Sequence, residues 1–243
     1  MTATKIQTAA SDPVRQVPHL FWGAGFAAAS VAVLLVLGFV INPAQPYAFD
    51  AWILRALRHP DAPAVPMGPV WLKGAMIDIT ALGGGTVLTL VVLITVGMLL
   101  VSRKWTTALL VAAGTVSGSL AVSTAKEIAA RPRPEVVPHL VEVTTQSFPS
   151  GHSANSAIIY LTIATLLTQT TGADARRTYL FAVVAALVTL IGVSRVYLGV
   201  HWPTDVLAGW SFGTLWALAW WRIGKWLRIH HHAAIPDDEI AAL

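Results

Sequence analysis

Between Ser194 and Asp205, a sequence otherwise built from Ala, Val, Leu and Gly places an arginine, a histidine and a carboxylate close together: Arg195, His201 and Asp205. Asp205 lies four residues after His201, so a helix beginning near Pro203 sets the carboxylate in its first turn, close enough to orient the imidazole. Such a pair can activate a nucleophile or act as a base. Two further polar groups stand out. Lys126 and Arg133 flank a proline-rich segment, and Ser150-Gly151-His152 opens an apolar run. Three cations and two histidines describe a site for an anion, and phosphate is the common anion that takes this many donors.

The elements that must position these residues are apolar. Of 243 residues, 55% are hydrophobic and 12% charged, against about 25% charged in an average soluble domain. This composition predicts an all-α integral membrane protein. The spans expected are Phe21–Ile41, Ala81–Val101, Trp105–Thr124, Ala154–Thr170, Thr178–Val193 and Val206–Leu227, most of them close to the ~20 residues that cross a hydrocarbon core. Phe21–Ile41 is longer than a signal-peptide core and is read as a retained first span. Ser102-Arg103-Lys104 makes the second and third spans an antiparallel hairpin, and Gly172 to Arg177 is expected to turn between the fourth and fifth. The glycines at 83–85 and at 114 and 118 suit close helix approach; no GKS or GKT follows the triplet, so it is not a phosphate loop.

Prolines at 43, 46, 60, 63, 66 and 69 exclude one continuous helix over residues 42–79. Within that segment Phe49, Trp52, Ile53, Leu54 and Leu57 recur at helical spacing against Asp50, Arg55 and Arg58. That pattern predicts a short amphipathic interfacial helix between spans one and two, with Trp52 and Trp71 as belt residues. The domain organisation expected is a cytoplasmic tail over 1–18, a six-span body over 19–229 and a cytoplasmic tail over 230–243.

Several chemistries are excluded at once. No cysteine is present, so disulfides, thiolate metal sites and a cysteine nucleophile are impossible. The net charge of +4 does not point to nucleic acid, because the basic residues sit in short loops beside apolar runs, where they record topology. With the N-terminus inside, Lys5, Arg15, Arg103, Lys104, Arg176, Arg177, Arg222, Lys225 and Arg228 are cytoplasmic. Arg55, Arg58, Lys73, Lys126, Arg131, Arg133 and Arg195 fall on the other face. The bias sharpens to nine against four once Lys126, Arg133 and Arg195 are assigned to a site. Both termini are therefore expected inside.

Alternating spans bring the loop after span three and the loop before span six to one face. Ser150-Gly151-His152 reads as a helix entrance, where free N–H groups and the positive dipole end favour a phosphoryl oxygen. Lys126, Arg133, Ser150, Gly151 and Arg195 could hold the equatorial oxygens of a transferring phosphoryl group. Of the two histidines, one attacks phosphorus and the other protonates the leaving oxygen.

The spacing of these groups resembles a known family. Lys126, six residues, Arg133-Pro134; Pro149-Ser150-Gly151-His152; and Ser194-Arg195, five residues, His201, three residues, Asp205 match the three signature motifs of the type 2 phosphatidic acid phosphatase superfamily. The resemblance extends to the six-span layout of its membrane-bound bacterial lipid phosphatases. It implies that His201 is the nucleophile forming a phosphohistidine, that Asp205 orients it and that His152 is the general acid. Lys126, Arg133, Ser150, Gly151 and Arg195 would bind phosphate, with no metal or other cofactor. The substrate expected is a membrane lipid at the periplasmic face of the inner membrane, first undecaprenyl diphosphate, with phosphatidylglycerophosphate and lipid A phosphates as competitors. A non-enzymatic anion channel or transporter is the alternative from another class, and metal-assisted hydrolysis on His152, His201 and Asp205 is a third. Arg131 is expected to be a headgroup contact or a bystander. Glu135, His139 and Glu142 are expected to be solvated loop residues, and His230–His232 a surface run.

Overall fold

The structure is a computed structural model that describes residue 32, residues 47–168 and residues 175–233. The expected first span and both terminal tails fall largely outside these residues. In chain order the elements are helix α1 (Ala48–Ala56), strands β1 (Arg58–His59) and β2 (Ala62–Pro66), and helices α2 (Val70–Ala81), α3 (Gly85–Val101), α4 (Trp105–Ala129), α5 (Gly151–Leu167), α6 (Ala175–Tyr197) and α7 (Pro203–Ala233). The protein is mostly helical, and the sequence reading of a wholly α chain is corrected by one short ribbon. There β1 pairs antiparallel with β2, Arg58 opposite Pro66, with an irregular register. Prolines 60, 63 and 66 remove ladder donors and keep the ribbon short.

Among the described residues two helices, α4 and α6, are long and apolar enough to cross a membrane, and α2 with α3 forms a third such unit bent by 45°. The bend falls at Leu82-Gly83-Gly84, between two helices where the sequence suggested a single apolar run from Ala81. Gly83 is small because it must be: an added Cβ would stand 2.4 Å from Ile191 Cγ2. The α3–α4 hairpin is as expected, with Lys104 N–H donating to Leu99 O at 2.9 Å across the turn. Ala175–Arg177, read from sequence as part of a turn, already belong to α6.

Helix α5 is the centre of the bundle. Leu88 of α3, Val122 of α4 and Ala154, Ile158 and Ile159 of α5 form one apolar cluster. Ala157 and Ala164 pack with Val184 and Val188 of α6 in another. Against α7 the seam is made of small residues. A Cβ on Gly209 would lie 2.9 Å from Ser150 O, and one on Gly213 would lie 2.5 Å from Ala157 Cβ. Backbones approach this closely only where side chains are absent. The approach sets the start of α5 beside the start of α7.

The outward faces are apolar. Leu93, Ile94 and Met98 of α3 and Leu109, Leu120 and Ile128 of α4 are each more than 60% exposed. Apolar patches of this extent mark a surface made for hydrocarbon rather than water.

The helix at 48–56 forms where the sequence placed it, but its faces differ. Phe49 and Trp52 point outward, whereas Asp50, Ala51 and Leu54 are buried. Ala51 and Leu54 pack with Val137 and Trp202. Asp50 and Arg58, assigned from sequence to a polar outer face, are buried because each meets partners on other elements. Arg58 Nη1 donates to Tyr197 O at 2.9 Å and so satisfies a carbonyl at the end of α6. Gly199, at φ +77°, lets the chain turn there, and a Cβ on it would lie 2.7 Å from Arg58 Nη2.

Candidate active site

The end of α4, the start of α5, the end of α6 and the start of α7 converge at one end of the bundle, covered by the loop 130–150. Three backbone bonds fasten that loop: Ser147 N–H to Arg131 O at 2.9 Å, Ser150 N–H to Asp205 O at 3.0 Å, and Leu140 N–H to Leu198 O at 3.0 Å. Between this loop and the helix ends lies an open cavity of about 310 Å³. Of the eight residues singled out in the sequence, Lys126, Arg133, Gly151, His152, Arg195 and His201 line it. Ser150 and Asp205 are fully buried behind them.

His201 follows α6 in the short connection to α7 and is 1% exposed. Its Nδ1 faces Asp205 Oδ2 at 3.5 Å and Ser147 Oγ at 3.4 Å. Its Nε2 lies 3.3 Å from Arg133 Nη1. Guanidinium can only donate, so this contact assigns a lone pair to Nε2 and the ring proton to Nδ1. Burial pushes the His201 pKa down to about 3; Asp205 opposes that shift and the positive charges of Arg133 and Arg195 add to it. The imidazole is therefore neutral near pH 7, with a nucleophilic nitrogen at the cavity.

Asp205 is held from every side. Its Oδ2 accepts from Ser147 Oγ at 2.5 Å and Trp202 N–H at 3.0 Å. Its Oδ1 accepts from Arg131 Nη1 at 2.6 Å. Arg131 Nη2 in turn reaches Asp50 Oδ2 at 3.3 Å. Arg131 is 1% exposed, which corrects the expectation of a headgroup contact or bystander.

The cations are spread around the cavity. Lys126 Nζ donates to Gln146 O at 2.7 Å. Arg133 is fixed by Thr145 O and Val200 O, each at 2.6 Å. Arg195 is 3% exposed and donates to Thr80 Oγ1 at 2.9 Å, while its Nε is buried without a partner. Buried donors aimed at a cavity are suited to an oxyanion. Gly151, the first residue of α5, lets the backbone meet Lys126: a Cβ there would be 3.2 Å from Lys126 Cε. Among the described residues, no group of three or more His, Cys, Asp or Glu side chains is gathered to hold a metal ion.

Sequence reasoning missed Thr80, Ser147, Thr204 and Asp50. Thr80, Ser147 and Asp50 lie outside the three spaced motifs and Thr204 at an unspecified position within the third, and each reaches the site through tertiary contact. Glu142 also lines the cavity; it is exposed as expected, but it stands beside the cations. His139 is exposed and bonds Pro134 O through Nε2 at 2.6 Å.

The fold is thus a mostly helical bundle with an apolar exterior and a cationic, histidine-bearing cavity at one end. The sequence model of the PAP2 superfamily matches residues 86–229, and the chain belongs to that superfamily. It is 39% identical over 155 residues to phosphatidylglycerophosphatase B of Bacillus subtilis, covering 63% of this chain and 75% of that protein. A 71-residue stretch is 41% identical to an undecaprenyl-diphosphatase of Sulfolobus acidocaldarius, covering 29% of this chain and 30% of that protein. Among solved structures, a crystal structure of a transmembrane PAP2-type phosphatidylglycerolphosphate phosphatase from Bacillus subtilis superposes with a TM-score of 0.68 at 30% identity. It covers 84% of this chain and 96% of that one.

Proposed function

We propose that the protein removes phosphate from a membrane lipid through a phosphohistidine. The observation that carries this reading is the placement of His201: Nδ1 toward Asp205, Nε2 toward the cavity, and Arg133 3.3 Å from the attacking nitrogen. The Nε2 lone pair attacks phosphorus while Arg133, Lys126, Arg195 and the first N–H groups of α5 hold the equatorial oxygens, with Ser150 behind them. The bond from phosphorus to the lipid oxygen breaks, and His152 delivers the proton that oxygen needs. Burial and the neighbouring cations, Arg195 foremost, lower the His152 pKa to about 3, so that proton is taken up together with the anionic substrate, whose charge offsets theirs. Water then attacks the phosphohistidine with His152 as base, releasing inorganic phosphate and neutral His201. Asp205 stabilises the positive charge that develops on the imidazole.

No step calls for a metal. A divalent ion on His201 Nε2 would face the Arg133 guanidinium directly, which opposes it electrostatically.

A phosphatidylglycerophosphate-like monoester is the substrate best supported, by the similarity that spans 75% of phosphatidylglycerophosphatase B. Undecaprenyl diphosphate is the second reading, supported by the shorter match to an undecaprenyl-diphosphatase. In either case the lipid tails would lie in the bilayer beside the apolar helix faces. The proposed architecture is a six-span body over 19–229 between cytoplasmic tails, with α1 at the interface and the site on the periplasmic side of the inner membrane. Charge distribution supports that orientation. Arg58 and Arg131, like Lys126, Arg133 and Arg195, are held by contacts within the protein, which leaves Arg55 and Lys73 as the free cations expected on that face.

The test is phosphate release by the purified protein from phosphatidylglycerophosphate, undecaprenyl diphosphate and lipid A phosphates, with a chelator present. Release that vanishes in His201→Ala supports the reading. No release from any lipid, release that survives loss of His201, or release abolished by the chelator and restored by a divalent ion overturns it.

A further inference from the structure

Arg131 and Asp50 are fully buried charged residues that line no part of the cavity. Asp50 also lies outside the segment matched by the family model, which begins at residue 86. Burying charges is costly unless they are paired, and Arg131 is paired with both Asp50 and Asp205. Arg131 Nη1 donates to Asp205 Oδ1 at 2.6 Å and to Thr204 Oγ1 at 2.8 Å, while Nη2 meets Asp50 Oδ2 at 3.3 Å. The Trp202 ring lies 5.7 Å from the guanidinium carbon, so the indole covers it. Asp50 is fixed in its turn: Thr204 donates to it through its backbone N–H at 3.1 Å and its hydroxyl at 2.7 Å. A carboxylate from α1 thereby caps the first turn of α7.

We propose that the Asp50–Arg131 pair positions the Asp205 carboxylate for His201, making Arg131 a positioning residue for the phosphatase reading above, on which this inference rests. Arg131 holds Oδ1, and Ser147 and the Trp202 N–H hold Oδ2, so the carboxylate cannot rotate and its Oδ2 edge stays on His201 Nδ1. Asp50 has an electrostatic part. A guanidinium paired with Asp205 alone would draw the carboxylate's charge away from the imidazole. Shared with Asp50, it orients Asp205 and leaves it negative toward the cation that forms on His201 during attack. Helix α1, far from the cavity in sequence, is on this account part of the catalytic support.

The experiment compares wild type with Arg131→Met, Arg131→Lys, Asp50→Asn and the Arg131→Met/Asp50→Asn double variant. The readouts are kcat, KM, the Ki of inorganic phosphate and the thermal midpoint in detergent. In folded Arg131→Met, kcat is expected to fall by about 10 to 100-fold, while KM and the phosphate Ki stay within about threefold, because the cradle is untouched. Arg131→Lys recovers part of the loss, since one ammonium cannot bridge two carboxylates as a guanidinium fork does. The double variant loses no more than Arg131→Met, because the two residues act as one unit. Wild-type kcat in folded Arg131→Met, a raised Ki with unchanged kcat, or additive losses would overturn the proposal. Should Arg131→Met fail to fold, Asp50→Asn and Arg131→Lys decide: a lower kcat at constant Ki supports it and an unchanged kcat refutes it. Wild-type activity lost in His201→Ala but intact in the Arg131 and Asp50 variants sinks this inference alone. An inactive wild type sinks the phosphatase reading with it.

Discussion

Arg133 Nη1 stands 3.3 Å from His201 Nε2, a donor-only group facing an imidazole nitrogen. The contact assigns the tautomer and places a positive charge where a phosphoryl oxygen would arrive. Replacing Arg133 by Lys keeps the charge but loses the fork that also grips Thr145 and Val200. Steady-state phosphate release by Arg133→Lys is expected to show kcat/KM reduced by about 10 to 100-fold.

His201 itself carries the chemistry proposed. His201→Gln retains approximate size and a polar end but has no nucleophilic nitrogen. Its kcat is expected to fall by at least about 10³-fold, with a lipid KM close to wild type. Acid-labile phosphate, trapped on the wild-type protein by rapid quench at high pH, is expected to be absent from the variant.

The same residue couples stability to pH. Its pKa is near 6.5 in the unfolded chain and is lowered to about 3 in the folded protein, mainly by burial. The unfolded state therefore binds the extra proton first. Stability from keeping His201 neutral is complete above pH 6.5 and is lost as pH falls toward 3. Thermal midpoints in detergent are expected to drop across this window, and His201→Gln is expected to flatten part of the drop.

The α5–α7 seam tolerates no side chain at Gly213, where a Cβ would lie 2.5 Å from Ala157 Cβ. Gly213→Val is expected to lower stability by about 1–3 kcal/mol and to cut activity, because separating the helices moves Ser150 away from Asp205. Gly97, in the middle of α3, has nothing within 4 Å of an added Cβ. Gly97→Ala is expected to raise stability by about 0.5–1 kcal/mol with activity unchanged. Parallel unfolding and phosphate-release measurements distinguish the two.

Glu142 is a carboxylate among the cavity's cations. Glu142→Gln removes its repulsion for an anionic substrate, and KM is expected to fall by about two- to fivefold in low salt, with the difference shrinking as salt is added.

Of the residues that line the cavity, the cations and histidines were legible in the sequence. Lys126, Arg133, Gly151, His152, Arg195 and His201 could be read as one site because they fall at helix ends, and apolar runs of defined length force those ends to one face. The sequence also located the α3–α4 hairpin, since polar residues between two apolar runs can only be a turn. What stands behind His201 and Asp205 became visible only in the folded chain. Nothing in the spacing links Asp50 to Arg131, Ser147 and Thr204, because an ion pair between residues 81 positions apart depends on how α1 packs against the loop 130–150 and the start of α7. Asp50 looked like the polar face of an exposed helix for the same reason. Periodicity reports which residues share a face, but burial of that face depends on the element opposite, and here the opposite element supplies a guanidinium.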